Sequence, residues 1–310
     1  MSFCDLLHIL PHGVLGFWGN AAGRLDDISL GIQCLLTEDV EQAMNTARAL
    51  DELNQDRKLI EQDMQREALT IVEKLVFSAE AELPSALCLF QPDWHQGVVG
   101  LLASRIKEKY HRPVVAFARG DSGELKGSSR SIPGLHIRDA LDAVATQNPG
   151  LITKFGGHAM AAGLSLEENK LPEFEQAFAA QVAKSLSEDD LQAKLVTDGS
   201  LQADQLSIRT AELLRDSGPW GQLFPEPCFE GDFVIVQQRI VGEKHLKLVL
   251  APYGQSQLAI DAIWFNIDTA VWPNHNVGVV RCVYRLDINE FRGQEKLQLL
   301  VQHIQSTNNN

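Results

Sequence analysis

Residues 154–163, KFGGHAMAAG, set two glycines before a histidine and small residues after it. Consecutive glycines reach positive φ, so Gly156 and Gly157 can turn successive backbone N–H groups toward one point, an anion-binding nest. His158 beside them can donate to a phosphate oxygen or protonate a leaving group. Residues 127–135, GSSRSIPGL, add complementary chemistry: the planar fork of Arg130 can hold a phosphate through two N–H bonds while Ser128 and neighbouring hydroxyls take other oxygens. A third segment, GNAAGRLDD at 19–27, offers Arg24 and two adjacent carboxylates, Asp26 and Asp27, of the kind that ligate magnesium or manganese. Each feature has a structural alternative. His158 can serve a glycine turn, Arg130 can pair with a carboxylate, and Asp26 and Asp27 can start a helix.

The elements around these segments fall into three zones. Apolar residues recur at helical spacing over about residues 37–76, with Thr37 as a cap and Glu38 and Asp39 at the positive end of the dipole. With no internal glycine or proline, that helix would run about 60 Å and connect two bodies. Strand and helix patterns then alternate: strands at 85–90, 113–118, 125–131 and 159–166, helices at 97–110, 137–145 and 173–186, the glycine segment being read as a loop. That is the pattern of an α/β layer domain. After GPWGQLFPEP, five strand-like runs at 233–241, 245–251, 257–265, 278–288 and 296–304 predict a small β-barrel, with a five-stranded OB-fold as the leading form. In such a barrel Trp264 or Tyr284 can stack on bases, or can fill the core.

Composition narrows the function. The formal net charge of −14 argues against indiscriminate binding to a polyanion, yet residues 95–138 hold 8 bases and 3 acids while residues 38–82 hold 5 and 12. A phosphate-handling face on an acidic body fits that distribution. Cys4, Cys34, Cys88, Cys228 and Cys282 are scattered without a C-x-x-C pair, which predicts buried thiols rather than a zinc site or a disulfide framework. No apolar run suits a membrane helix and the start does not read as a signal peptide, so a cytoplasmic protein is expected.

Taken in order, NAAGRLDD, LDELNQDRK, DWHQGVVGLLASRIKEKY, GSSRSIPGLHIRDAL, KFGGHAMAAGLSLEE, GPWGQLFPEP, VGEKHLKLVL and LDINEFRGQEKLQLL resemble the RecJ single-stranded-DNA exonucleases of the DHH phosphoesterase superfamily. The resemblance implies α/β plus all-β architecture: a remnant of the DHH catalytic domain at 1–36, a long connecting helix at 37–78, a DHH-associated α/β domain at 79–190, a linker with one helix at 191–230 and an OB-fold at 231–310. It implies 5′→3′ cleavage of single-stranded DNA in recombination and repair, with Mn2+ or Mg2+ as cofactor. Single-stranded DNA is the expected partner, with single-strand-binding protein and other repair proteins as candidates beside it, and the chain is expected to be a monomer with no membrane partner. By the same resemblance Ser128 and Arg130 hold the terminal phosphate, Gly156, Gly157 and His158 face the scissile phosphate, and Arg24 contacts substrate.

The departures from the family pattern matter equally. Its metal ligands come from an Asp-x-Asp motif, an Asp-His-His motif and a further aspartate, and no Asp-His-His occurs in these 310 residues. Residues 1–18 do not resemble the family. The chain is therefore expected to be a carboxyl-terminal half, with no metal ligands and no activity of its own. Two alternatives stand beside this reading: a noncatalytic nucleic-acid-binding module, and a smaller DHH phosphodiesterase acting on short oligonucleotides or cyclic dinucleotides.

Overall fold

The computed structural model describes residues 28–78, 83–120, 123–221, 224–255, 257–269, 271–291 and 293–307. These belong to two units, Met1–Ala193 and Lys194–Asn310. In the first, helix α1 (Ser29–Leu36) precedes the 39-residue α2 (Val40–Ser78), about 58 Å at 1.5 Å per residue. Its cap is Asp39 rather than Thr37. The Asp39 carboxylate accepts from the N–H groups of Glu41 (2.9 Å) and Gln42 (3.2 Å), while Thr37 accepts from the Asp39 N–H one step earlier. A carboxylate at that position satisfies orphan donors and meets the positive end of the dipole, so it outcompetes a hydroxyl.

The buried stripe of α2 runs Ala43, Ala47, Leu50, Asn54, Glu61, Met64, Ala68, Val72. Its two polar members are paired. Arg57 donates to Asn54 Oδ1 and, at 2.8 Å, to Glu61 Oε2, and Arg105 of the next helix donates to Glu61 Oε1 at 3.2 Å. Beyond Glu61, Met64, Ala68 and Val72 pack into a core with α3 (Val99–Tyr110), and the Trp94 indole N–H donates to Glu67 at 2.8 Å. The side chains of Arg57 and Glu61 are 13 % and 12 % exposed, so removing one partner strands the other's charge away from water. Glu61→Ala should lower the stability of this unit by about 3 kcal/mol. A urea midpoint within error of the parent's, followed by circular dichroism, would contradict that.

Strands β1 (Leu87–Phe90), β2 (Val114–Arg119), β3 (Glu124–Arg130), β4 (Lys154–Gly157) and β5 (Ala161–Glu167) form one sheet in the order β1-β2-β3-β5-β4. Only β1 and β2 are parallel, joined through α3, which stops at His111 in a left-handed conformation two residues before Pro113. One face of the sheet carries α3 and the end of α2; the other carries α4 (Ile137–Gln147) and α5 (Leu171–Ser185), around stacked Phe174 and Phe178 with Phe117 edge-on. The segment read as a glycine loop is in fact the edge strand β4. Glycine disfavours strand interiors on local grounds, but here hairpin pairing with β5 decides.

The second unit opens with α6 (Ile208–Asp216), capped by the Ser207 hydroxyl, and closes a barrel of β6 (Phe229–Val241), β7 (His245–Pro252), β8 (Ile260–Trp264), β9 (Val279–Phe291) and β10 (Gln294–Ser306). The order is β10-β8-β7-β6-β9, with β8 and β10 parallel and every other pair antiparallel, which is the OB arrangement. Residues 191–230, expected to be a linker, contribute Leu206 and Ala211 to the barrel core. Burial raises the thiols of Cys34, Cys88 and Cys228 and pushes Cys282, inside the barrel, up to about 12.

Candidate nucleic-acid interface

Strand β3 carries the chemistry. Its residues alternate, so Leu125, Gly127 and Ser129 turn to the α4–α5 core while Lys126, Ser128 and Arg130 lie on the α3 side. There is no room on the core side for more than hydrogen at Gly127, where an added Cβ would sit 2.6 Å from the Phe117 ring. The serines of GSSRS separate accordingly. Ser129 donates to Ala162 O (2.8 Å) and Ser131 to Leu135 O (2.7 Å), both buried; Ser128 alone stands with Arg130.

Arg130 is held in one orientation. Its Nε donates to Ser104 Oγ of α3 at 3.1 Å, and its Nη1 donates to Ser128 Oγ at 3.1 Å and to Ser129 O at 2.8 Å. Gly100, in the first turn of α3, makes the approach possible: a Cβ there would lie 2.9 Å from Arg130 Nη2 and 3.0 Å from Ser128 Oγ. A rigid fork loses less entropy when it takes a ligand.

Beyond α3 the same sheet face is open among the described residues. Ser128 lies opposite Gly163 of β5, and Gly163 opposite Gly156 of β4, so the row from Arg130's strand to the sheet edge is bare backbone. A Cβ at Gly156 would meet nothing within 4 Å, and at Gly163 only a carbonyl oxygen at 3.8 Å. Gly157 differs. At φ +149°, its Cβ would fall 2.4 Å from Ala162 Cα and 2.5 Å from Ala161 O, so the hairpin itself requires glycine there.

His158 is exposed at the turn of that hairpin, with its N–H donating to Ala161 O at 2.8 Å. The two glycines expected to form a converging nest lie instead within the β4–β5 ladder, opposite Gly163 and Ala162. Ala161 is in turn opposite Arg130, so His158 lies two inter-strand spacings, about 9–10 Å of backbone, from the arginine. The turn is pinned by Ser131 N–H to Met160 O and Ile137 N–H to Ala159 O, both 2.9 Å. Ser128 and Arg130 on β3, and Gly156, Gly157 and the following His158 at the end of β4, are thus brought to either side of β5. Arg24, Asp26 and Asp27 lie outside the described residues.

Much of the basic stretch is used structurally. Arg105 binds Glu61, Arg112 donates to Pro84 O and Leu191 O, and Arg119 forms a two-bond pair with Glu168 whose hydrogen bonds hold that carboxyl below its usual range. What sequence reading missed is Lys126 and Lys154, which enter the open face only through strand register. On the barrel, Tyr284 is in the core, edge-on to Phe233 at 5.4 Å, and burial raises its hydroxyl. It cannot stack on a base. Trp264 packs against that core beside Trp272, and the exposed aromatics of the unit include Tyr253, Phe265 and Phe291, at or beyond strand ends.

Among the described residues no three His, Cys, Asp or Glu side chains converge as metal ligands, so they do not fit the Mn2+ or Mg2+ that the resemblance implies.

The α/β layer and the barrel match two family models, a DHHA1 domain over residues 83–184 and a RecJ OB domain over residues 197–303. That pairing defines the class, a DHHA1 domain joined to an OB domain of the RecJ type. The chain is 55 % identical over 285 residues to the single-stranded-DNA-specific exonuclease RecJ of Escherichia coli, covering 92 % of this chain and 49 % of the relative. With the RecJ of Haemophilus influenzae the identity is 50 % over 288 residues, 92 % of this chain and 50 % of the relative. A crystal structure of RecJ in complex with Mg2+ from Thermus thermophilus aligns with TM-score 0.72 at 25 % identity, over 94 % of this chain and 43 % of that one, and the Mn2+ complex aligns at 0.71. The chain belongs to the RecJ family and spans about half the length of the curated relatives it matches.

Proposed function

We propose that this chain is the DNA-holding portion of a single-stranded-DNA-specific 5′→3′ exonuclease of recombination and repair. The observation that carries the reading is the open face of β3, β5 and β4: a locked arginine fork and a serine at one end, a histidine at the other, and glycine backbone between them. Arg130 and Ser128 hold the 5′-terminal phosphate, the floor of Gly163 and Gly156 lets the backbone of the strand lie close, and His158 meets the scissile phosphate. A divalent metal, Mn2+ or Mg2+, would be held by Asp and His residues of the family motifs rather than by the residues described here, and would supply the activated water.

Incubating the chain with 5′- and 3′-labelled single strands and Mn2+ tests the division of labour. The reading expects salt-dependent binding without cleavage, and degradation from the 5′ end when the same polypeptide carries an Asp-His-His domain. In that longer polypeptide His158→Ala should lower kcat far more than it weakens DNA binding, as for an interaction strongest in the transition state. Chelator-sensitive cleavage by this chain alone would overturn the assignment.

A further inference from the structure

The open face extends past the Ser128 row. Ser165 of β5 lies opposite Lys126 of β3 on one side and opposite Lys154 of β4 on the other, so the three residues form one row, two residues along each strand from Ser128, Gly163 and Gly156. Resting on the reading above, we propose that Lys126, Ser165 and Lys154 form a second phosphate subsite, which takes an internal phosphate of the same DNA strand on the 3′ side of the cleaved bond.

The spacing supports this. Two residues of a strand advance about 6.6–6.8 Å, a step comparable with the distance between successive phosphates of an extended single strand, and the new row is two such steps from Arg130. Side chains directly opposite one another in an antiparallel pair have Cβ atoms about 4.5–5.5 Å apart, so two ammonium groups on flexible four-carbon stems can both reach a point above the Ser165 hydroxyl. Between this row and Arg130 no side chain of β4 or β5 larger than alanine stands on the face, since Gly156, Gly163 and Ala161 occupy it.

The row beyond is acidic: Glu124 lies directly opposite Glu167. Two carboxylates side by side repel a further phosphate, so the track ends at the lysines and the strand must leave the sheet there. Lys126 Nζ stands 3.9 Å from Glu124 Oε1, with the two side chains 43 % and 38 % exposed. A pair that exposed is worth about 0.2–1 kcal/mol, which binding to a phosphate can replace. The competing role for the lysines is to neutralise these two glutamates and nothing more.

Titrating oligothymidylate against the 310-residue chain by fluorescence anisotropy over a salt series separates the two. The double variant Lys126→Gln/Lys154→Gln should bind a 5′-phosphorylated strand of several nucleotides about tenfold more weakly at low salt. Its slope of log affinity against log salt should shrink by about 0.7, since the two lysines together neutralise one phosphate of a single strand. Binding of thymidine 5′-monophosphate, which cannot reach the row from Arg130, should be unchanged. Lys184→Gln, which removes the same charge from α5 on the opposite side of the sheet, serves as the control and should leave the slope alone. An unchanged affinity and slope in the double variant, or an equal loss in the control, overturns the subsite. Arg130→Ala read in the same assay keeps the two claims apart: if it weakens binding while the double variant does not, the subsite alone fails. If the parent chain binds no DNA at low salt, both fail.

Discussion

Replacing Arg130 by alanine should remove most of the preference for a 5′-phosphorylated over a 5′-hydroxyl single strand, by about 10- to 150-fold. That factor corresponds to the roughly 1.5–3 kcal/mol typical of hydrogen bonds to a charged group. The side chain is already fixed by Ser104, Ser128 and Ser129 O, so its fork meets a phosphate with little ordering left to do, and water in the vacated space cannot restore that geometry. Arg130→Lys should recover only part of the preference, because an ammonium supplies the charge without the planar fork. The measurement is the ratio of initial cleavage rates on the two strands, in a polypeptide that also carries the Asp-His-His domain. A ratio unchanged in a folded Arg130→Ala protein would show that the arginine serves the sheet and not the substrate.

The two glycines of the hairpin should respond in opposite ways to the same substitution. Gly157→Val places a Cβ within 2.6 Å of three atoms of β5 at a positive φ. Backbone strain of about 1–3 kcal/mol and overpacking of about 1–3 kcal/mol should together unseat β4 and shift thermal unfolding downward by several degrees or more. Gly156→Val meets nothing within 4 Å, so the protein should fold with its unfolding temperature nearly unchanged while losing affinity for single-stranded DNA, because the side chain stands where the strand must lie. Calorimetry paired with anisotropy reads both effects. If Gly156→Val binds as well as the parent, the floor is not where DNA lies.

The contrast between these neighbours was invisible in the sequence, where Gly156 and Gly157 read alike as loop formers. Periodicity was enough for the β1, β2, β3 and β5 strands, the helices between them and the five barrel strands, because each is patterned by its own burial: β3 alternates and β2 is continuously buried. It failed at β4, a four-residue edge strand whose pairing with β5 is decided by a hairpin rather than by its own residues. Register was beyond it altogether. That Lys126 and Lys154 flank Ser165 follows from the pairing of β3 with β5 across about 40 residues and from the register of the β4–β5 hairpin, and nothing local in either lysine signals it. In the barrel the pattern was legible: within VVRCVYRL, Tyr284 is in phase with Val280, Cys282 and Leu286 and out of phase with Arg281 and Arg285, which is the core face it occupies.

The uncovered face of β3, β5 and β4 must receive the DNA backbone if Arg130, His158 and the two lysines are to meet its phosphates. Backbone amide NMR of the chain during titration with a 5′-phosphorylated oligothymidylate tests this most directly, since each residue reports separately. Saturable shifts at Ser128, Arg130, Gly156, Gly163 and His158, with Asp142 of α4 and Gln181 of α5 on the opposite face unmoved, are the expected result. Shifts confined to the α4–α5 face or to the barrel, with the glycine floor silent at saturation, would contradict it.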